Sequence, residues 1–347
     1  MNFWRKHPLV GPEPLFRDRA QQTLSATSSP IHMPPSQLAE VTVEEAPPDI
    51  QAQRPWLHVS LFLLTMLSMT TAGALQRGVN PLAGFNQLVH LVEGLPYALA
   101  LLGILTVHEF GHYFAARKWG VRASLPYFLP LPIHLFGTLG AVIRLRSSIP
   151  HKRALLDIGA AGPLAGLVVA IIACAIGLPQ SQVVSPDYFQ QSPFAQTEMV
   201  IRLGEPLLFK GLAALLMPPL GPGETVILSP LAFAGWVGFF ITAVNLFPVG
   251  QLDGGHISYA LWGRGHRLVS RATFGLLLVS GIYGILSSGW WGWIVFAFFL
   301  ALFGSFFGWD HPSPNHPAIP LNRWRRGVGL LCLLVFSLCF TPVPFGF

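Results

Sequence analysis

Residues 108–112 read His-Glu-Phe-Gly-His, and two histidines four apart on a helix project from the same face. Both imidazoles can then hold one Zn²⁺, and Glu109, beside the first of them, can take a proton from a metal-bound water. Without a metal, a His-Glu-His group in an apolar setting would pair with itself or with an arginine, at considerable cost. Zinc needs a third protein ligand. Asp253 offers one, in Leu252-Asp253-Gly254-Gly255-His256, where two glycines let the backbone turn and approach other elements. Taken alone, Asp253 is as well suited to cap a helix starting near Gly254, and His256 is a rival ligand. Asn245 closes the apolar run before Asp253, three residues ahead of Pro248, which bends a helix and frees a carbonyl. Its amide can bond the oxyanion formed in amide hydrolysis, or an adjacent helix in lipid.

The elements that must position these residues are apolar. The 13 residues before His108 carry no charge, and Tyr113, Phe114, Ala115 and Ala116 follow His112. A soluble metalloprotease helix would show a polar face; this one is apolar all round, as a bilayer helix is. The whole chain of 347 residues is 52% hydrophobic and 10% charged, with mean hydropathy +0.53. Soluble domains carry roughly 25% charge, so the sequence predicts an all-α polytopic membrane protein of about six to seven transmembrane helices. The net charge of +6 requires no nucleic-acid partner, because the basic residues gather in a few loops between apolar runs. Cys174, Cys332 and Cys339 sit in apolar spans without CxxC spacing and read as small core hydrophobes.

Taken in order, 1–55 reads as a disordered tail, rich in proline and without the early apolar stretch of a signal peptide. Residues 56–94 hold the first span and an outer loop, 95–262 the candidate catalytic core, and 263–347 the C-terminal spans. Spans are expected near 57–75, 95–116, 154–178, 226–247, 272–287, 290–308 and 327–341, the pair around Ser287-Ser288-Gly289 being either two helices or one kinked element. The loop 179–225 has room for a short surface helix around 205–217. With the N-terminus in the cytoplasm, inner loops 117–153, 249–271 and 309–326 carry seven, three and three Lys or Arg, against one and two in outer loops 76–94 and 179–225. That satisfies the positive-inside rule and brings His108 and Asp253 to one membrane half.

Between spans two and three, prolines rule out a single helix. Ala141 to Arg146 alternates and is β-branched, which predicts a strand. A small re-entrant β element there, with Gly137, Gly140, Ala141 and Ile143, would pair its edge with an extended substrate, or would simply shield the site. His134 lies in the same stretch without an assignable role.

The two motifs together resemble the site-2 proteases, intramembrane zinc metalloproteases. HEFGH matches that family's HExxH, NLFPVGQLDGGH its NxxPxxxLDGG, and GTLGAVIRLR with DIGAAGPLAG its re-entrant β element and following helix, over about 95–262. No PDZ-like or CBS-like insert is evident. The resemblance implies one Zn²⁺ held by His108, His112 and Asp253, with Glu109 activating water and Asn245 assisting. It also implies hydrolysis in or near transmembrane segments of membrane-protein substrates. A metal transporter would want ionisable residues along several spans, and spans one, three, five and six contain almost none; a non-cutting homologue would lack a catalytic residue, and none is missing. A bacterial inner or plasma membrane is the default location, and oligomeric state is not legible.

Overall fold

Long uncharged runs can satisfy their amides in lipid only by closing helical hydrogen bonds, and nine α-helices form among the described residues. The computed structural model describes 54–132, 135–185, 188, 201–307 and 311–346. Nearly all of the expected tail at 1–55 lies outside the described residues, as does His134.

The helices are α1 (Pro55–Gln76), α2 (Leu91–Lys118), α3 (Lys152–Gly177), α4 (Leu207–Leu216), α5 (Pro230–Asn245), α6 (Asp253–Trp262), α7 (His266–Ser288), α8 (Gly292–Phe307) and α9 (Arg323–Cys339). Four helical stretches are long and apolar enough to cross a membrane: Pro55–Gln76, Phe85–Lys118, Lys152–Gln180 and Asp253–Ser288. The last is not straight. Gly263, at φ 57°, breaks it, and the Ser270 hydroxyl donates to the Pro248 carbonyl, so α7 folds back along α6. Gly289, left-handed at φ 70°, makes α7 and α8 two helices and not one kinked element.

The expected fourth span is itself broken. Helix α5 stops at Asn245, Pro248 and Gly250 occupy the turn, and α6 restarts at Asp253. Helix α6 then packs along the first half of α3, through Leu155, Leu156 and Ala260. Asp253 is the first helical residue and Leu252 the N-cap, with no side-chain capping bond. The capping role open to Asp253 in the sequence is therefore not the one it takes.

Contacts sort the helix ends into two groups. At one end, Asn315 and His316 bond the backbone of Ile149 and Pro150, and Arg325 grips Asp157 near the start of α3. At the other, β3 (Gln182–Val184) pairs with β5 (Thr225–Ile227), and β4 (Arg202–Leu203) with β6 (Phe345–Gly346). Lipid offers little hydrophobic drive between helices, so close packing of small residues must hold them. A β-carbon on Gly94 would strike the Thr70 backbone of α1, and one on Gly111 would strike Ala161 of α3. The largest core side chains, Trp236, Trp293, Tyr97 and Phe239, fill the wider gaps. All three cysteines are buried and unbridged.

Between α2 and α3, β1 (Tyr127–Pro130) and β2 (Thr138–Val142) form an antiparallel pair, with Phe128 opposite Ala141. The strand begins and ends earlier than the expected Ala141 to Arg146. The reason is a change of partner: beyond Val142 the chain pairs with 122–124, Ser124 N–H donating to Arg144 O and Arg146 N–H to Arg122 O, while Ala123 faces Leu145. Ile143 sits at the switch. The tip of the pair is fastened by Ser68 to the Gly137 carbonyl (2.6 Å), Gln76 to Leu135 and Tyr97 to Phe136.

Candidate metal centre

His108 and His112 lie one helical turn apart on α2, both buried, about 15 Å and about 9 Å from the Lys118 end of that helix at 1.5 Å per residue. Helix α3 supports them from below. A β-carbon at Gly162 would collide with the His112 ring, and one at Gly166 would crowd His108, so only glycine lets the two helices approach this closely. His112 donates Nδ1–H to the Ile158 carbonyl at 2.7 Å. That bond fixes the tautomer and leaves Nε2 with its lone pair facing inward.

Asp253 completes the group from α6. Its Oδ2 stands 3.5 Å from His108 Nε2 and 3.3 Å from His112 Nε2, and the two Nε2 atoms are 3.1 Å apart. In a tetrahedral zinc site with ligands at about 2.0–2.1 Å, neighbouring donors stand about 3.3 Å apart. The three separations bracket that edge, and two imidazoles with a carboxylate are a donor set zinc accepts. Zn²⁺ fits the residues present. Among the described residues, this is the one group of three or more His, Cys, Asp or Glu side chains able to hold a metal ion.

Glu109, also buried, has its carboxylate near the backbone of Ile143, where the strand pairing changes partner. Asn245, the last residue of α5, brings its amide nitrogen within 3.3 Å of His108 Nε2. The structure thus gathers His108, Glu109, His112, Asn245, Asp253 and Ile143 in one place. Ala141 lies just beyond, in the ladder with Phe128. Gly140, at φ 102°, has open space on its side-chain face. Gly137 is remote: it is at the far end of β2, packed against Met69 and Ser68.

His256 does not point at this group. Its Nδ1 meets Nε2 of His311, whose own Nδ1–H donates to the Pro312 carbonyl at 2.7 Å. Burial pushes His311 down to about 3, so it is neutral and accepts from His256. Tyr259 stacks on the same ring at 4.7 Å. This brace, fastening α6 to the segment before α9, was not legible in the sequence, because 55 residues separate its histidines. Nor was the clamp at the end of α2, where Arg325 makes two 2.8 Å bonds to Asp157, and Trp119 Nε1 donates to the same carboxylate. An Asp in one apolar run and an Arg before another were the available signal.

Comparison with known proteins finds a match to the model of peptidase family M50 over residues 96–287. The chain is 31% identical over 310 residues to an Arabidopsis thaliana protein named probable zinc metalloprotease EGY2, chloroplastic, covering 86% of this chain and 51% of the relative. It is 28% identical over 310 residues to probable zinc metalloprotease EGY1, chloroplastic, of Oryza sativa subsp. japonica (83% and 50%). It is 29% identical over 316 residues to probable zinc metallopeptidase EGY3, chloroplastic, of Arabidopsis thaliana (84% and 52%). The chain spans about half the length of the curated relatives it matches. Their names place those relatives in chloroplasts, and none of the comparisons supports the bacterial location expected from the sequence.

Proposed function

The chain belongs to peptidase family M50, and from that premise we propose that it is an intramembrane zinc metalloprotease, cutting peptide bonds in or near transmembrane segments of other membrane proteins. One observation carries the reading: two buried imidazoles and a partly buried carboxylate from two separate helices converge at the edge lengths of a zinc tetrahedron, with a second carboxylate next to the first histidine.

In this reading His108, His112 and Asp253 hold one Zn²⁺ per chain. When bound, the ion supplies Lewis acidity that polarises a carbonyl and acidifies water. Glu109 accepts a proton from the attacking water and returns it to the departing amide nitrogen, so water adds across the C–N bond and Glu109 ends as it began. The Asn245 amide donates to the oxygen that gains charge as the carbonyl becomes tetrahedral. Ile158 holds His112 in the tautomer that ligation needs.

The β1–β2 pair is read as re-entrant. Its tip bonds Tyr97, and Ile143 past its end lies near Glu109, so it runs beside α2 over a stretch deep within that helix. Among the described residues strand β2 has a strand partner on one edge only, and Gly140, Ala141 and Ile143 would present the other edge to an unwound substrate. A helical substrate hides its amides, and such an edge is what draws them out. Helices α5 and α6 are read as one span broken at the depth of the site, and seven crossings follow from the two groups of helix ends. The segments with most Lys and Arg then face the cytoplasm or its equivalent compartment. The core is assigned to 95–262, with 56–94 and 263–347 as flanking spans.

Glu109→Gln tests the reading directly. The purified variant is expected to keep stoichiometric zinc yet lose cleavage of a transmembrane test substrate by a factor of about 10³ or more. Undiminished cleavage would remove the assigned base; loss of zinc in His108→Ala without loss of cleavage would remove the metal.

A further inference from the structure

A cavity of about 180 Å³ opens where the starts of α3 and α9 meet the finish of α6, its wall including Lys152, Ala260, Leu261, Pro320, Leu321 and Arg326. Lys152 is the first residue of α3 and Arg326 the fourth of α9. Neither side chain has a hydrogen bond or ion pair among the described residues. The nearby carboxylate of Asp157 is already held by Arg325 and Trp119. Two uncompensated cations facing one cavity repel each other, and an anion between them removes that repulsion.

The surroundings say what kind of anion. Ala260 and Leu321 are buried, so the wall beneath the charges is apolar. Trp262 and Trp324 flank the cavity in sequence and are 44% and 78% exposed, as indoles are at the headgroup level of a bilayer. The lining residues come from all three segments in which Lys and Arg gather, the side on which anionic lipids attract basic residues. We propose that Lys152 and Arg326 bind a phosphate-bearing anion here, either the headgroup of an anionic phospholipid or free phosphate. The anion would tie α3, which supports His112, to α9. This inference rests on the membrane reading of the helices and is independent of hydrolysis.

The test is native mass spectrometry of the full chain released from detergent, titrated with phosphatidylglycerol, with phosphatidylcholine and with inorganic phosphate. The native chain is expected to retain phosphatidylglycerol over phosphatidylcholine, and the Lys152→Gln/Arg326→Gln form to lose about tenfold or more of that retention. Arg122→Gln, an exposed charge removed elsewhere on the same side, should leave it unchanged. Phosphatidylglycerol that survives millimolar phosphate identifies the lipid as the source. Phosphate binding that itself depends on Lys152 and Arg326 identifies the free anion. Equal retention by the native and double-glutamine forms, without such phosphate binding, overturns the proposal, as does an equal loss in Arg122→Gln. Should the glutamine pair fail to fold, Lys152→Arg/Arg326→Lys keeps both charges and must keep binding; a folded form that does not bind overturns it too.

Discussion

At the scale of single residues, the metal group depends as much on what is missing beneath the histidines as on the histidines. Gly162 leaves the space in which the His112 ring sits, and its β-carbon would occupy that space. Gly162→Ala should therefore push Nε2 out of register and weaken zinc binding about 10- to 100-fold, the range seen when ligand supports are lost. Zinc retained after dialysis against a graded chelator measures this. Gly103→Ala, on the histidines' own helix α2 with nothing near its side-chain face, should match the native chain. Asn245 is different in kind, because its amide is a donor near the group and not one of the three proposed ligands. Asn245→Ala should keep zinc and lower turnover by about 10²–10³, as loss of an oxyanion donor does. A fall in zinc content parallel to the fall in rate would reassign it to structure.

At the scale of elements, the strand pair between α2 and α3 is held by its tip. Gly137 adopts φ 73° and lies against the Met69 backbone, while its carbonyl takes the Ser68 hydroxyl. A side chain there meets both a strained backbone and a neighbour that cannot yield. Gly137→Ala is expected to loosen β1–β2, raising protease nicking near residues 131–137 and lowering substrate cleavage, with zinc content unchanged. Intact resistance to nicking would show that the tip is not what fastens the strands. The strand was visible in the alternation of residues 141–146, though its bounds were not. Pairing partners decide bounds, and at Ile143 the chain leaves β1 for residues 122–124, a partner that the alternation of 141–146 does not name.

At the scale of the whole molecule, the two groups of helix ends predict a labelling pattern. In a background lacking Cys174, Cys332 and Cys339, Ser148→Cys and Ala318→Cys should react with an impermeant maleimide from one side of sealed vesicles. Gln182→Cys should react only from the other side. All three positions are exposed. Labelling of all three from one side would dismantle the seven-crossing arrangement. Hydropathy and loop charge by themselves lead to the same expectation, because a bilayer sorts segments by properties each segment carries by itself.

Two things were written in the chain order. The i, i+4 histidines with their glutamate and the Asp-Gly-Gly turn named the residues proposed as donors, since helical periodicity is local and zinc chemistry narrow. The long apolar runs named the solvent. The rest waited for the tertiary structure. Whether Asp253 capped a helix or faced the imidazoles was settled by where α5 stops and α6 begins, which depends on α3 packing against both α2 and α6. The same packing selected His311 as the partner of His256 and Asp157 as the partner of Arg325. Such pairings join residues far apart along the chain, and nothing in the local composition of either partner encodes the other.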